Sequence, residues 1–200
     1  MTDLSHHTLI LASTSPYRRR LLERLEIAFS CIAPETDETP LPGEAPDALA
    51  RRLGDAKALA VSAQFPDSYV LGSDQVASLS SAILGKPGSI VKAEEQLRRC
   101  SGQSVRFFTA VSLAHQGVTI ASRCVVTRVR FRTLSDAEVA DYVRREEPLD
   151  CAGSFRWEGL GICLFTALES DDPTALEGLP LIATCDMLKS TNINILKTTI

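Results

Sequence analysis

The sequence has 200 residues, 44% hydrophobic and 23% charged. This suits one large folded domain or two small fused ones, and it excludes a disulfide-dependent miniprotein, a fibrous chain and a disordered one. With 25 acidic and 21 basic residues the formal charge is −4, which provides no overall field for collecting nucleic acid or an anionic membrane, so any bound anion has to be captured locally.

Met1 to His7 is too polar to open a secretory signal peptide, and no apolar run approaches the roughly 18 residues of a membrane span, so a cytoplasmic address is expected. Thr8 to Ala12 reads as a short apolar strand. Ser15-Pro16 then supplies a preferred N-cap and first-turn pair for a helix to about Leu25. Ala28 to Ala33 reads as a second strand, and Thr39 to Pro46, rich in Pro and Gly, as a loop. Asp47 to about Ala63 predicts a helix with Leu49, Leu53, Ala56 and Ala60 on one stripe, and Tyr69 to Leu79 a strand. Val91 to Cys100 is helical, and the β-rich segments Val105 to His115 and Val118 to Phe131 are joined by Gln116-Gly117 as a hairpin turn.

Ser135-Asp136-Ala137-Glu138 is a capping box that opens a helix to about Arg145, and Pro180 to Lys189 reads as a closing helix. The hairpin makes the sheet partly antiparallel, and the elements alternate without a strict βαβ order. The expected architecture is a mixed α/β (α+β) domain over residues 1–190 with a cleft between lobes, followed by an unpatterned tail over 191–200. The six cysteines show no Cys-x-x-Cys pair and read as reduced, mostly buried small hydrophobes; His6, His7 and His115 show no zinc-ligand spacing with them.

Five places are candidates for chemistry. Ser13 to Arg20 brings hydroxyls and a helix N-terminus to a basic run directly after a strand, an arrangement open both to anion binding and to ordinary capping. Arg18 heads the stripe of Leu21, Leu22 and Leu25, so it is the arginine expected in the cleft, while Arg20 and Arg24 lean toward water. Ala33 to Glu38 sets three carboxylates in four residues, which suit a hard cation or simply a solvated loop. Asp74 interrupts an otherwise apolar strand, where a carboxylate is costly unless paired or metal-bound. Strict alternation sends Asp74 and Gln75 to opposite faces, so both line one pocket only if the strand ends or bulges there. Lys57, among small helical residues, and Lys86, in the turn Gly85-Lys86-Pro87, are each a phosphate-binding point charge or a surface lysine, and no Walker loop is present.

In this order, Leu11 to Arg18, Pro34 to Glu38, Lys57, Gly72-Ser73-Asp74-Gln75, Gly85-Lys86-Pro87, Ala152-Gly153-Ser154-Phe155 with Glu158-Gly159, and Gly178-Leu179-Pro180 resemble the Maf family of nucleoside triphosphate pyrophosphatases, also called septum formation inhibitors. The resemblance spans nearly the whole chain. It implies a Maf/ITPase-like fold with a deep cleft, hydrolysis between the α- and β-phosphates, and a divalent cation, with Mg²⁺, Mn²⁺ and Co²⁺ left open. Carried over by position, Asp74 is the proton acceptor, also counted with Glu35 and Glu38 as metal or metal-water ligands. Ser13, Ser15, Arg18, Lys57 and Lys86 hold the triphosphate, the two lysines counting with Asp74 as catalytic.

Substrate choice within the family follows three positions, here Tyr17, Gln75 and Glu158. The set resembles the 7-methyl-GTP subfamily rather than the dTTP/UTP one. An aromatic face attracts the delocalised positive charge of 7-methylguanine, and a carboxylate accepts from its N1–H and 2-amino group. Trp157 is expected to pack rather than stack on substrate. The partner implied is a nucleotide, with neither nucleic acid nor membrane, and the resemblance favours a homodimer. The alternatives are a Maf-like pyrophosphatase for dTTP, UTP or other modified nucleotides, and a non-catalytic regulator of septum formation and cell division.

Overall fold

The computed structural model describes residues 9–191, 193, 195 and 196. The expectations for Met1 to Thr8, His6 and His7 among them, and for most of the tail lie outside the described residues. Strand β1 (Leu9–Ala12) is buried at every position, the mark of a strand covered on both faces. It runs parallel between β2 (Phe29–Ile32) and β3 (Tyr69–Leu79). Parallel neighbours need crossovers, and helices α1 (Pro16–Glu23) and α2 (Pro46–Ser62) supply them. Ser15 caps α1 through its side chain, with Pro16 at the first turn, as the sequence indicates.

Beyond β3 the sheet turns antiparallel. β5 (Ser104–His115) pairs with β3 from Val70 to Leu79, and β6 (Val118–Phe131) returns along β5 through Gln116-Gly117, both at positive φ as a type I′ turn requires. β7 (Phe165–Glu169) pairs with β6, giving the order β2-β1-β3-β5-β6-β7, and β4 (Ala82–Leu84) pairs with the end of β3. The mixed, partly antiparallel sheet agrees with the expected fold class. β4 and β7 are too short, at three and five residues, to show a readable period in the sequence. Helices α3 (Ile90–Cys100), α4 (Asp136–Glu146) and α5 (Leu181–Leu188) complete the regular elements, and α4 carries the expected capping box.

Two apolar clusters divide the length of β3 and β5. One takes Leu71, Val111 and Leu113 with Leu21, Leu22 and Leu188; the other takes Ala77, Val105 and Phe107 with Leu97, Val143 and Phe155. The middle of β3, with Ser73, Asp74 and Gln75, lies between them.

The buried face of α2 differs from the expected stripe. Leu49 and Leu53 are buried, but Ala56 and Ala60 are half-buried, and Gly54, Lys57, Ala58 and Val61 take the inner face instead. The cause is a close approach: a Cβ on Gly72 would stand 2.4 Å from both the Ala58 nitrogen and the Gly54 carbonyl oxygen. A helix can press this tightly on a strand only where both present little side chain. The cysteines also differ from expectation. All six are free, but only Cys100 is buried; Cys31, on edge strand β2, and Cys163, in a surface 3₁₀ turn, are exposed. Among the described residues no helix is long and apolar enough to cross a membrane.

Candidate active site

The cleft begins with a gap at the edge of β3. β1 pairs with it only as far as Ala12 opposite Gly72, and β4 joins the same edge at Leu84 opposite Ala77. Ser73 to Val76 therefore have one open edge, while the other stays bonded to β5 without a register shift. Asp74 and Gln75 both line the resulting cleft of about 440 Å³. Contrary to the expectation from strict alternation, the strand neither ends nor bulges there; its neighbour ends instead, and both faces of β3 become reachable.

Tight seating of α2 on Gly72 turns Lys57 inward, toward the residue two positions further along the same face of β3. Lys57 and Asp74 are only 5% and 7% exposed. Lys57 Nζ donates to Asp74 Oδ1 at 2.6 Å and meets Glu38 Oε1 at 2.7 Å. The buried acid is thus paired, as desolvation requires. Burial alone would raise the Glu38 carboxyl, yet Lys57, Lys86 and Arg18 together hold it below the usual carboxylate range. Arg18 lines the cleft while Arg19 and Arg20 point to water. Burial pushes its guanidinium pKa down, and the charges of Asp74 and Glu38 oppose this. Ser13 Oγ accepts from the Ser15 amide at 3.1 Å and Ser15 Oγ from the Arg18 amide at 3.4 Å, which shapes the turn between β1 and α1. Ser13, Ser15 and Lys86 also line the cleft.

The opposite face of β3 grips a run of carbonyls. Gln75 Nε2 donates to Ala175 O at 2.8 Å, Leu176 O at 3.1 Å and Thr109 Oγ1 at 3.0 Å. Ser73 Oγ and Arg18 Nε reach Gly178 O at 2.9 and 2.8 Å. Gly178 has φ +107, a conformation that side-chain-bearing residues rarely adopt. Asp172, 2% exposed, ties both ends of this run. Its Oδ1 accepts from the Thr174 hydroxyl at 2.7 Å, and its Oδ2 from the Ile182 amide at 2.7 Å, at the start of α5.

The far end of the cleft is aromatic and looser. Tyr17 lies there with the Arg156 guanidinium 5.9 Å from its ring centroid. Burial, then Cys151, holds the Tyr17 phenol above its usual range, with Asp150 and Glu158 adding to this and Arg156 opposing. Glu158 is exposed, and Glu177 is half-buried; burial and then Glu158 push the Glu177 carboxyl up. Trp157 packs against the Phe155 cluster as expected, and it also lines the cleft, with its Nε1 buried and unpartnered.

A model of the family described as Maf-like protein matches residues 8–191. The chain belongs to the Maf family. Its Maf relatives include a protein of Polaromonas sp., 52% identical over 92% of this chain and 85% of its own, and one of Bordetella pertussis, 54% identical over 90% of each. A third, from Albidiferax ferrireducens, is 50% identical over 98% of this chain and 99% of its own. All three bear the name 7-methyl-GTP pyrophosphatase.

Of the residues that the Maf resemblance singles out, the structure brings together Ser13, Ser15, Tyr17, Arg18, Glu38, Lys57, Asp74, Gln75, Lys86 and Glu158. Glu35 is exposed and does not join the cleft lining. Among the described residues no group of three acidic, histidine or cysteine side chains gathers around one point. Glu38 and Asp74 do converge, because both touch the Lys57 ammonium, a cation already standing between them. Two converging carboxylates facing a cleft suit a hard cation whose remaining ligands are water and substrate oxygens. Arg156, Asp150 and Glu177 line the same cleft but stand in turns without periodicity, and the sequence reading passes them over. The one available signal was their nearness to Ala152 to Phe155 and to Gly178-Leu179-Pro180.

Proposed function

We propose that this Maf protein hydrolyses the α–β phosphate bond of 7-methyl-GTP, releasing 7-methyl-GMP and pyrophosphate, in the cytoplasm and as a homodimer. The observation that carries the reading is the buried Asp74 carboxylate opening onto the same cleft as Tyr17, Gln75 and Glu158. The names of the relatives support the substrate.

Arg18, Lys57 and Lys86 bind and orient the triphosphate, with Ser13 and Ser15 donating hydroxyls, because phosphoryl transfer asks chiefly for position and neutralised charge. A water attacks the α-phosphorus, the bond to the bridging oxygen of the β-phosphate breaks, and Asp74 takes the water's proton on Oδ2, since Oδ1 holds the Lys57 hydrogen bond. Glu38, with Asp74 acting through a metal-bound water, would hold a divalent cation, which would neutralise phosphate charge and make that water more acidic. The Tyr17 ring faces the base, and Glu158 accepts from its N1–H and 2-amino group. Gln75, its amide nitrogen engaged by the Ala175 and Leu176 carbonyls, turns its oxygen toward the base.

The test is pyrophosphate release from 7-methyl-GTP, GTP, dTTP, UTP and CTP with Mg²⁺ or Mn²⁺, for the native chain and Asp74→Asn. Selective turnover of 7-methyl-GTP, lowered by about 100-fold or more in the variant, is the expected result. A preference for dTTP or UTP removes the base assignment and keeps the chemistry. Absence of turnover of every nucleotide removes both.

A further inference from the structure

Arg156 lines the cleft and takes no part in the mechanism above. Its guanidinium sits within cation–π reach of Tyr17. Its terminal nitrogens stop 3.6 Å from Glu146 and 3.7 Å from Asp150, beyond hydrogen-bond length. Its Nε is buried with no hydrogen-bond partner. The backbone beneath is fixed: the Arg156 amide donates to Tyr142 Oη at 2.9 Å, and its carbonyl accepts from Gly159 and Gly161. The side chain itself is held only by two long ion pairs, the Tyr17 ring and the Cys151 side chain.

We propose that Arg156 is a specificity-determining residue, a cation resident at the Tyr17 ring that counts against a positively charged base and not against a neutral one. The inference rests on the substrate reading above and deepens it. A 7-methylguanine base brings a positive charge to a ring already shared with a guanidinium, so the two repel, whereas neutral guanine meets no such repulsion. Glu158 and Glu177, at the same end of the cleft, act with the opposite sign. The preference for a charged base is the balance of these charges, and Arg156 sets how far it goes.

The experiment measures calorimetric Kd values for 7-methyl-GMP and GMP, together with kcat/KM for the two triphosphates, in the full-length native chain, Arg156→Gln and Arg156→Lys. In Arg156→Gln the 7-methyl to unmethylated ratio should rise by about two- to fivefold, the worth of one exposed cation–π contact, through Kd and KM rather than kcat. Arg156→Lys, which keeps the charge, should retain the native ratio. An unchanged or lower ratio in Arg156→Gln overturns the proposal, and so does an equal rise in both variants. If both monophosphates bind but neither triphosphate is hydrolysed, the catalytic reading fails while the binding ratio still decides the role of Arg156. Failure to bind either monophosphate overturns both.

Discussion

The two ends of the cleft are built by different means. At the charged end, Lys57, Asp74 and Arg18 stand on regular elements, and the Lys57 contacts are 2.6 and 2.7 Å long. At the aromatic end, Arg156, Glu158 and Glu177 stand in turns, and Arg156 reaches its carboxylates only at 3.6 and 3.7 Å. Lys57, Asp74 and Arg18, proposed above to meet the triphosphate, are seated by the packing of their helices and strand, as preorganised electrostatics requires. Groups that would choose a base are held by partly exposed side chains, where a single substitution shifts a balance without dismantling the fold.

The charged end depends most on Gly72, where α2 seats on β3. Gly72→Ala would drive a methyl group into the backbone of α2 at Gly54 and Ala58. Backbone cannot swing aside as a side chain does. The expected cost is about 3 kcal/mol, a fall in Tm of roughly 10 °C for a chain of this length. Withdrawal of α2 also carries Lys57 away from Asp74, so pyrophosphate release measured well below the new Tm should fall by more than the loss of folded protein explains. A variant with native Tm and native activity would show that the seating of α2 does not place Lys57.

Asp172 gives the next largest effect, and it bears on the carbonyl run that Arg18 and Gln75 grip between the two ends. In Asp172→Asn an amide NH₂ replaces one of the two acceptor oxygens. It then faces either the Ile182 and Ala183 amides or the Thr174 donors. Opposed donors in a buried site should cost about 2 kcal/mol. The consequence reaches Gln75 and Arg18 through the carbonyls of Ala175, Leu176 and Gly178. KM for the nucleotide should therefore rise more than kcat falls, as steady-state kinetics below the variant's Tm would show. A lower Tm with unchanged KM would make Asp172 a helix cap and nothing more.

How much of this was legible follows the same division. Arg18 was readable because helical spacing sets it with Leu21, Leu22 and Leu25. Asp74 stood out because a lone acid in an apolar strand has to be paired. Lys57 was visible as an interruption of small residues, but not its direction, since the packing of Gly54 and Ala58 on Gly72 is a tertiary fact that shifted the buried stripe away from Ala56 and Ala60. The opening that serves both Asp74 and Gln75 depends on where β1 stops, a boundary written in no local pattern. Arg156 and Glu177 were missed because 152–178 is built largely of 3₁₀ turns and one short strand, whose residues follow no period.

The smallest expected effect concerns the loop that carries Glu38 to Lys57. Arg52 on α2 grips Glu44 through two bonds, at 2.6 and 2.8 Å, and also donates to Thr39 O at 3.1 Å, so residues 39–44 are strapped to the helix just beyond Glu38. The hydrogen bonds from Arg52, then that from the Leu41 amide, pull the Glu44 carboxyl from 4.5 down to about 2. Its folded pKa lies below its unfolded one, so its contribution is fully present above pH 4.5 and is lost as pH falls from there through about 2. At neutral pH, Glu44→Gln should lower Tm only slightly, because the amide oxygen still accepts from Arg52 and Arg52 keeps its bond to Thr39 O. The native Tm should fall further than the variant's between pH 5 and 3, so that the two curves converge. Parallel curves across that range would mean that the strap is not what titrates. Glu38 would then keep its place beside Lys57 through that one contact, and the charged end would owe nothing to the loop behind it.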